Sequence, residues 1–590
     1  MLVDFYRAAL IKAEEHLLSK GYVLNVCNKD DPDYPLKETK EWRVVWFLDR
    51  VLGSRDVQIL IALPITFPDE FPQIFLSNRS FDSLSPIPHL DLRKFLCTFD
   101  PIDSAPNPDK PGEIVESFIE KGFKIIDDGI AKRNLPDYNE EFLAYWDVEC
   151  NGKLSMLFSP QIERNEFVFL PFTSIKNGYW GVIAERIEDI KNWCDALKIS
   201  IDGLNVANIL FLPLDSFGNP PYPATNAQLH KRLKEYSPHS LKDLIQYFRG
   251  RTDPYYVLFS VPTPAGHVLG FWYHYGVSKK NIAAGFPRGN IPAEHLLSKH
   301  PDRKLIKRVV DRVDRQRLFT RGGCGVPLFE NVIASVIGCG SIGSTLAYSL
   351  VRSGLKAIDL IDPEDLTSAN IARHFCGLSD IGKNKAQVLR EKFRLSYPYL
   401  QCKAYDKDIL LILSEDVSVL NKYTLNIVAI GKLAVEKRLN LLVQNKAITS
   451  SFLFVWVEPL LIAGHALFVN PSKPGCLECI LEADYKVKYR VVEEASKFFK
   501  REAGCQTTYI PYPSLEIDRF VNSITRFIMP ILKGDLTDST LLTWIGDIDS
   551  FRKKGEAVST YWASDSSYTE HAMNLSYQQL CETCSSKVSA

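Results

Sequence analysis

The clearest pattern of apolar and polar positions lies between residues 331 and 385. Residues 332–337 form an almost uninterrupted apolar run, which is typical of a strand buried on both faces of a parallel sheet. The sequence Gly-Cys-Gly-Ser-Ile-Gly follows, and apolar residues then recur at helical spacing up to Gly354, a plausible helix end. A second apolar run, 357–361, ends on Asp362. The pattern predicts a strand, a glycine turn, a helix, a second strand and a terminal acid.

Three glycines in this turn, Gly338, Gly340 and Gly343, indicate nucleotide binding. The first permits a tight turn, the second lets the backbone approach phosphate, and the third lets helix and strand pack. The helix N-terminus offers unpaired amide N–H groups and the positive end of its dipole to an anion. Asp362 follows at about the 20-residue spacing of a ribose-binding acid. A NAD-dependent oxidoreductase and an ATP-dependent adenylyltransferase both fit this stretch, and a chance glycine turn is the weaker alternative.

The residues after Asp362 distinguish between these two classes. Asn370, Arg373 and Lys385 add an amide and two cations beyond the second strand. A dehydrogenase has no need of such cations, whereas attack at the α-phosphate of ATP develops charge that they stabilise. With the three glycines, these residues make the stretch resemble the ThiF-type adenylyltransferases, the family of the ubiquitin-activating enzymes. The resemblance implies that Asp362 holds the ribose of ATP. It also implies that Asn370, Arg373 and Lys385 bind and polarise the phosphates.

The N-terminal part of the chain shows a different pattern. Helical periodicity over 4–19 and about 113–131 encloses two strand candidates, 42–48 and 57–63. Proline-punctuated segments and Cys97 follow the second strand candidate. A helix, a small sheet, a proline-rich turn and a lone cysteine before a helix resemble the ubiquitin-conjugating-enzyme fold, which implies that Cys97 accepts an acyl group. A small buried apolar residue is the alternative interpretation of a lone cysteine.

The loop before Cys97 departs from the conjugating family. His89 stands where the family's His-Pro-Asn motif begins, but this sequence reads His89-Leu90-Asp91. In the family the asparagine supports the oxyanion formed during lysine attack, and Asp91 cannot donate a hydrogen bond as an amide does. A backbone N–H could substitute for it. We expect His89 to order the loop rather than to act as a base.

Residues 151–310 carry no chemical motif. Strand-like and helix-like runs alternate there, with strands expected at 167–172, 208–213, 255–261 and 269–273 and helices near 185–197 and 226–248. The default interpretation is a connecting α+β domain that positions the two ends of the chain or holds a partner.

Two C-x2-C pairs, Cys476 with Cys479 and Cys581 with Cys584, indicate a metal site. Four thiolates suit tetrahedral zinc, with Zn–S bonds of about 2.3 Å, and four protein ligands leave no open position. The pairs are far apart in sequence, so Zn2+ would tie the C-terminus back onto its domain in a structural role. Activating enzymes of the ThiF type commonly carry the same two pairs.

Cys505 lies between these pairs, in a loop-like segment before an apolar-faced helix from 515 to about 529. Lys500 and Arg501 precede it, and cations near a thiol can lower its pKa. By resemblance to the activating enzymes, this crossover cysteine takes the acyl group from the adenylate. An incidental loop cysteine is the alternative.

Two further expectations come from the same resemblance. Activating enzymes place an arginine-containing helix just before the nucleotide strand, so Arg315, Arg317 and Arg321 are candidates for contact with ATP; a solvated helix face is the alternative. In the family an aspartate after the strand at 426–430 helps to hold magnesium, but here the strand runs into Gly431-Lys432. Mg2+ is still expected, because the triphosphate needs its charge neutralised.

Composition narrows the class of protein. A chain of 590 residues is too long for one core, and roughly two to four domains are expected. The net charge of −1 gives no electrostatic reason for direct binding to nucleic acid or to an anionic membrane. Thirteen cysteines without a disulfide framework indicate a reducing compartment, and the N-terminus does not read as a signal peptide. We therefore expect a cytoplasmic protein without a membrane span.

Together these patterns predict an α/β chain in three parts. We expect a ubiquitin-conjugating-like α+β domain at 1–150, a connecting α+β domain at 151–310, and a doubly wound, ThiF-type adenylation domain at 311–590. This order resembles the fused bacterial enzymes of CBASS anti-phage defence, which conjugate the C-terminus of a cGAS-like nucleotidyltransferase to a target. The resemblance also implies a homodimer formed through the adenylation domain.

The implied reaction has four steps. A partner's C-terminal carboxylate attacks the α-phosphate of Mg-ATP, Cys505 displaces AMP, Cys97 accepts the acyl group by thiol exchange, and a lysine amine of the target completes an isopeptide bond. Three alternatives stay open. They are the same chemistry on a ubiquitin-like protein from another bacterial operon, adenylation for a sulfur carrier, and a different class altogether, either a NAD-dependent oxidoreductase or a nucleotide-binding scaffold without catalysis.

Overall fold

The computed structural model of the chain describes residues 2–35, 41–99, 106–159, 166–248, 255–264, 266–274, 302–320, 329, 331–501, 508–575 and 581–585. The chain divides into two compact units. The first comprises 1–156, 160–185 and 204–311, and the second comprises 157–159, 186–203 and 312–590. Among the described helices, none combines the length and the apolarity that a bilayer span requires.

The N-terminal part of the first unit is an antiparallel sheet packed against helices. Its elements are α1 (Leu2–Ser19), β1 (Asn25–Val26), β2 (Trp42–Leu52), β3 (Arg55–Pro64), β4 (Gln73–Leu76), α2 (Asn78–Leu84), β5 (Phe95–Leu96) and α3 (Pro111–Ile130). The strands lie side by side in chain order. Residues at helical spacing on α1 and α3, such as Leu17 and Ile119, join the inward residues Trp46 and Ile61 of the sheet in one buried core.

A closed barrel forms the rest of the first unit. The elements from here to residue 312 are α4 (Asp137–Glu140), α5 (Phe142–Val148), β6 (Lys153–Met156), β7 (Glu166–Lys176), β8 (Tyr179–Ala184), α6 (Ile187–Ala196), β9 (Ala207–Pro213), α7 (Asn226–Tyr236), α8 (Pro238–Phe248), β10 (Tyr255–Thr263), β11 (Gly266–His274) and β12 (Ile306–Arg312). Of these, α6 belongs to the second unit. The barrel is closed by the strands of the first unit. Its strands pair in the order β10-β11-β12-β6-β8-β7-β9, and parallel pairing of β9 with β10 closes it. Trp146 of α5 packs edge-on against Phe259 of β10, with ring centroids 4.9 Å apart.

The second unit is built on a mixed sheet. Its elements are α9 (Arg315–Phe319), β13 (Ile333–Ile337), α10 (Ser341–Arg352), β14 (Ala357–Ile361), α11 (Lys385–Ser396), β15 (Gln401–Tyr405), α12 (Ile409–Glu415), β16 (Leu425–Val428), α13 (Leu433–Gln444), β17 (Ser451–Val457), β18 (Ala463–Val469), β19 (Lys500–Arg501), β20 (Thr508–Tyr509), α14 (Ser514–Lys533), β21 (Thr540–Ile545), α15 (Ile548–Lys553), β22 (Thr569–Asn574) and α16 (Glu582–Ser585). The sheet runs β15-β14-β13-β16-β17-β18-β21-β22. Pairing is parallel from β15 to β17 and antiparallel from β17 to β22.

The order of the parallel strands fixes where a ligand can bind. β13 lies between β14 and β16, so the chain leaves β13 towards one side of the sheet and later returns to its other side. The connections therefore separate at the carboxyl end of β13, and a crevice opens there. The glycine turn predicted from sequence lies at this point.

The predicted α/β fold class is confirmed, and one predicted helix is wrong in detail. The helix expected near 226–248 is two helices, α7 and α8, because Pro238 has no backbone N–H to continue the first. The barrel was not expected, since local periodicity identifies strands but not their closure. The boundaries at 150 and 310 stay predictions.

Candidate nucleotide cleft, cysteine site and metal-ligating cluster

A cleft opens at the carboxyl ends of β13, β14 and β16. Four residues predicted for nucleotide binding line it: Gly338, Gly340, Asp362 and Lys385. Glu364 and Lys432, which the sequence patterns did not identify as site residues, line it as well.

The three glycines of the turn meet different surroundings. Gly338 has a φ of +94°, and a Cβ there would lie 2.6 Å from the Ala429 carbonyl oxygen. A Cβ on Gly343 would lie 1.9 Å from the Gly338 carbonyl oxygen. A Cβ on Gly340 would meet nothing within 4 Å among the described atoms. The first and third glycines therefore permit close packing, whereas the second leaves its backbone open at the N-terminus of α10.

Asp362 ends β14 and is 5% exposed. Its Oδ2 accepts a hydrogen bond from the Cys339 N–H at 2.7 Å, and its Oδ1 accepts one from the Glu364 N–H at 2.8 Å. Burial raises the pKa of this carboxyl above its ordinary value. Each oxygen keeps a lone pair, so the carboxylate can both hold the turn and accept a hydrogen bond from a ribose hydroxyl.

His374, part of the Asn-x2-Arg-His sequence, holds the glycine turn from the opposite side. Its Nδ1 accepts a hydrogen bond from the Cys376 N–H at 2.9 Å, so its Nε2 carries the proton and donates to the Cys339 carbonyl oxygen at 2.7 Å. Burial lowers the pKa of His374, which keeps the ring neutral. The backbone of Cys339 is thus held through both its N–H and its carbonyl oxygen.

Lys385 is the first residue of α11, and Asn384 caps that helix by accepting from the Gln387 N–H. The lysine side chain is 7% exposed, and its Nζ lies 2.8 Å from Oε2 of Glu364. Lys385 is the main cause that lowers the pKa of the Glu364 carboxyl. Lys432, directly before α13, places its Nζ 3.8 Å from the other oxygen, Oε1, of Glu364.

Asn370 and Arg373 lie on the loop after β14 and are not among the residues that line the cleft. The Asn370 Oδ1 accepts hydrogen bonds from the N–H and the hydroxyl of Thr367, both at 3.1 Å. The Arg373 guanidinium lies 5.0 Å from the centre of the Tyr512 ring, and its buried Nε has no hydrogen-bond partner among the described atoms. Their role at the phosphates stays a prediction.

The three candidate arginines before β13 differ in their surroundings. Arg315 donates through Nε to the Gly354 carbonyl oxygen at 2.7 Å, at the C-terminal end of α10. Arg317 is exposed, and Arg321 lies outside the described residues. Contact of any of them with ATP stays a prediction.

Cys97 is exposed, and its backbone N–H donates to the His89 carbonyl oxygen at 2.8 Å. The His89 ring lies between two carboxylates, with Nδ1 2.6 Å from Glu141 and Nε2 3.0 Å from Asp137. The Glu141 contact is the main cause that raises the pKa of His89. Two acceptors favour the doubly protonated ring, which cannot act as a base. This geometry agrees with the prediction that His89 orders the loop.

A cavity of about 800 Å³ opens beside Cys97. Asp91, Glu141 and Asp147 line it with Cys97. Asp91 is occupied by its own turn, since its Oδ1 accepts from the N–H groups of Arg93 and Phe95. Its side chain therefore stabilises this turn and does not donate a hydrogen bond to an oxyanion.

Asp147, on α5, differs from the other acids of this cavity. Its Oδ1 is buried and has no hydrogen-bond partner in the part of the chain that the structure describes. Burial raises the pKa of its carboxyl to about 6. No sequence motif indicated this residue, because it lies 50 positions from Cys97 and reaches the cavity only through the packing of α5.

The four cysteines of the two C-x2-C pairs come together. Their Sγ atoms all lie within 4.8 Å of one another. The closest separation is 3.2 Å, between Cys479 and Cys584, and that within the first pair is 3.9 Å. Tetrahedral zinc with bonds of about 2.3 Å would hold its sulfurs about 3.8 Å apart. The cluster is therefore compatible with a zinc site.

Two contacts position the first pair. The Leu477 N–H donates to Oδ1 of the buried Asn440 at 3.1 Å. Gly475, just before the pair, has a φ of +99°, and a Cβ there would lie 2.8 Å from the side chains of Leu575 and Ser539. Glycine thus permits the tight approach of the C-terminal segment that carries the second pair.

Cys505 lies outside the described residues. The strands on either side of it are described: β19 and β20 pair antiparallel, with Lys500 opposite Tyr509. Its role as acyl acceptor stays a prediction.

Comparison with known proteins agrees with the resemblances seen in the sequence. Residues 328–535 match the ThiF family, and residues 34–155 match Prokaryotic E2 family B. A crystal structure of E. coli MccB with ATP has a TM-score of 0.32 and 15% identity, covering 44% of this chain and 68% of that one. A likeness of this size carries no assignment.

Two curated relatives share one name, "ATP-dependent ubiquitin transferase-like protein Cap2". The Pseudomonas aeruginosa protein is 25% identical over 215 residues, which cover 36% of this chain and 38% of that protein. The Vibrio cholerae protein is 23% identical over 467 residues, which cover 72% of this chain and 77% of that protein. The match to the first therefore spans well under two thirds of its length.

These matches confirm both predicted resemblances, each over the region where the sequence carried it. The conjugating-like match includes Cys97, and the ThiF match includes the glycine turn, Asp362 and Lys385. The chain thus joins a Prokaryotic E2 family B domain to a ThiF-family domain, which is the architecture of a fused E1/E2-like bacterial enzyme.

Proposed function

We propose that this chain activates the C-terminus of a protein with ATP and transfers the acyl group to an amine of a target. The carboxylate attacks the α-phosphate, giving an acyl-adenylate and pyrophosphate. The Cys505 thiolate displaces AMP and holds a thioester, and Cys97 takes over the acyl group by thiol exchange. A lysine amine then attacks that thioester, loses a proton and leaves an isopeptide bond and a free Cys97 thiol.

One observation carries this proposal. A single chain holds a ThiF-family cleft with Asp362 and Lys385 on its wall, and a conjugating-type domain with an exposed Cys97 beside a cavity. An oxidoreductase or a sulfur-carrier adenylyltransferase would need the first feature but not the second. The ThiF match supports ATP as the nucleotide.

The Cap2 relatives are called ubiquitin transferase-like, which supports a protein or peptide as the acyl donor. Within this proposal, the donor is a cGAS-like nucleotidyltransferase of an anti-phage CBASS operon, and the protein is a cytoplasmic homodimer. A ubiquitin-like donor from another operon is the second candidate. Incubation with each donor, Mg-ATP and radiolabelled pyrophosphate distinguishes them, since only the true donor supports pyrophosphate exchange.

Two metals belong to the proposal. Zn2+ would be held by Cys476, Cys479, Cys581 and Cys584 and would fix the C-terminal segment. Mg2+ would neutralise the triphosphate, but the chain has Gly431 where the related enzymes have an acid. Two acids that line the cleft already have partners in the protein. Asp408 accepts a hydrogen bond from the Leu410 N–H at 2.8 Å, and Glu364 forms an ion pair with Lys385.

Replacing Lys385 with alanine should lower the rate of ATP–pyrophosphate exchange by roughly 100-fold, because removing one preorganised donor to developing charge typically costs about that much. Lys383→Ala is the matched control, since Lys383 is an exposed lysine two residues away. Exchange is measured with the cognate donor at saturating ATP. Equal rates in the two variants would remove Lys385 from the reaction.

For discharge of a preformed Cys97 thioester to lysine, the ratio of the wild-type rate to the Asp147→Asn rate should rise as the pH passes from 5 through about 6 and then level off, because the ratio cancels the growing fraction of neutral amine that both proteins share. Asp147 loses its proton over this range, and only the carboxylate can accept a proton from the amine. Near it, the pKa of Glu141 is lowered and that of His89 is raised, so both groups stay charged while Asp147 titrates between pH 5 and 6. Asp147→Asn should slow discharge at pH 7 by about 10-fold or more, and its rate should then follow the fraction of neutral lysine amine alone.

The matched control for this experiment is Glu140→Gln, which changes an exposed acid on α4. Single-turnover discharge separates the amine's attack from thioester formation, so the charge of the Cys97 thiol does not enter. A profile that Asp147→Asn leaves unchanged would show that another group accepts the proton.

A further inference from the structure

Glu364 holds two lysines from different parts of the second unit. Its Oε2 lies 2.8 Å from Nζ of Lys385, at the start of α11, and its Oε1 lies 3.8 Å from Nζ of Lys432, which directly precedes α13. All three residues line the cleft that the glycine turn also lines. One carboxylate thus brings together two ammonium groups that are 47 positions apart in sequence.

The position of Glu364 is set by the cleft itself. Its backbone N–H donates to Oδ1 of Asp362 at 2.8 Å, so the two acids share one rigid turn after β14. Asp362 accepts backbone N–H groups, and Asp408 caps α12. Among the described acids of the cleft, Glu364 is therefore the one that pairs with both lysines.

The two lysines are held very differently. The Lys385 side chain is 7% exposed and lies at ion-pair distance. The Lys432 side chain is 61% exposed, and its pair with Glu364 is at the outer limit of an ion pair. An exposed pair of this kind contributes little stability, and the four-carbon stem lets the amine swing. The Lys432 side chain is therefore held in the cleft mainly by its attraction to an anion.

The glycine turn that lines the same cleft is suited to phosphate. The Gly340 backbone is open to the cleft at the N-terminus of α10, a helix of 12 residues. Phosphate and carboxylate oxygens attract the same amines, and phosphate carries more charge. An anion that binds at the glycine turn therefore competes with Glu364 for both lysines.

We propose that Lys432 is a second phosphate-binding cation of this cleft, and that Glu364 competes with the phosphates of the nucleotide for Lys385 and Lys432. The inference rests on the proposed function, since it takes ATP as the ligand. It adds a residue to the phosphate site and assigns an opposing role to a carboxylate. Removing the lysine weakens ATP binding, whereas neutralising the acid strengthens it.

The test is calorimetric titration of the full chain with ATP and with AMP, each with and without Mg2+, and of the wild-type chain with NADH. Lys432→Ala should weaken ATP binding by about 10-fold, the cost of one charge-assisted hydrogen bond, and leave AMP binding within about twofold. Glu364→Gln should tighten ATP binding several-fold. Lys403→Ala, on an exposed lysine of β15, is the matched control. Unchanged AMP binding shows that each variant is folded.

Three results would overturn the inference. ATP affinity in Lys432→Ala equal to that in Lys403→Ala would remove Lys432 from the phosphate site. Weaker binding of Mg-ATP but not of metal-free ATP in Glu364→Gln would assign the carboxylate to the metal instead. Wild-type protein that binds NADH and not ATP would refute the proposed function itself, and the inference with it.

Discussion

Replacing Cys505 with alanine should abolish every thioester on this chain, whereas replacing Cys97 with alanine should leave the acyl group stalled on Cys505. The thiolate that attacks the adenylate must come first, because Cys97 can receive the acyl group only by thiol exchange. Both variants should keep ATP–pyrophosphate exchange, since adenylation uses neither thiol. Conjugation should fall to background in both.

The measurement is a non-reducing gel with intact-mass analysis after incubation with Mg-ATP and the cGAS-like donor. A reductant-sensitive adduct in wild type and in Cys97→Ala, but not in Cys505→Ala, would establish the order of the relay. Cys402→Ala is the control, because Cys402 is a partly exposed thiol of β15 to which the relay assigns no role. An adduct that survives in Cys505→Ala would contradict the assigned order. Absence of any adduct in wild type would exclude this donor and point to ubiquitin-like candidates.

Replacing Cys479 with serine should remove bound zinc and lower the unfolding temperature by about 10 °C or more. Loss of a structural metal is among the few single changes that cost more than about 4 kcal/mol, and a change of that size moves the midpoint by this amount in a domain of this kind. Cys479 is 5% exposed and lies 3.2 Å and 3.6 Å from the sulfurs of Cys584 and Cys581. Cys479→Ser therefore removes a sulfur of the first pair that contacts both sulfurs of the second pair.

Metal content by mass spectrometry and thermal unfolding of the full chain test this prediction. Cys402→Ser is the matched control and should keep both its zinc and its midpoint. A strong chelator should reproduce the effect of Cys479→Ser on wild-type protein. Wild-type protein that contains no zinc, or a Cys479→Ser variant with an unchanged midpoint, would contradict the structural role.

The nucleotide cleft shows how far local sequence reaches. A strand, a glycine turn, a helix and an acid within 31 positions, from Val332 to Asp362, could be predicted because they are continuous in the chain and each residue type has one physical use there. The same stretch did not reveal Glu364 and Lys432 as partners. Their contact depends on the turn after β14 and the start of α13 meeting at one edge of the sheet, and an exposed charged residue in a sequence is ordinarily interpreted as part of the solvated surface.

The conjugating-like domain shows the opposite balance. Cys97 could be singled out from the order of the elements around it. The residues that hold the loop at His89 could not be predicted from the sequence. The structure supplies that support from Asp137 and Glu141, which are 48 and 52 positions away and carry no motif. Asp147 reaches the same cavity in the same way. Residues that are brought to a site only by tertiary packing have no characteristic spacing in the sequence, so a motif does not indicate them.

The sequence by itself determined the elements with strong local patterns: the α/β class, the turn that can approach phosphate, and the two cysteine pairs. Tertiary structure alone decided the closure of the barrel, the carboxylates around His89, and the bridge from Glu364 to two lysines. Periodicity, glycine turns and C-x2-C spacing follow from the geometry of a few neighbouring residues. Strand closure and charge pairing depend on which distant segments pack together, and that choice depends on the free energy of the whole fold.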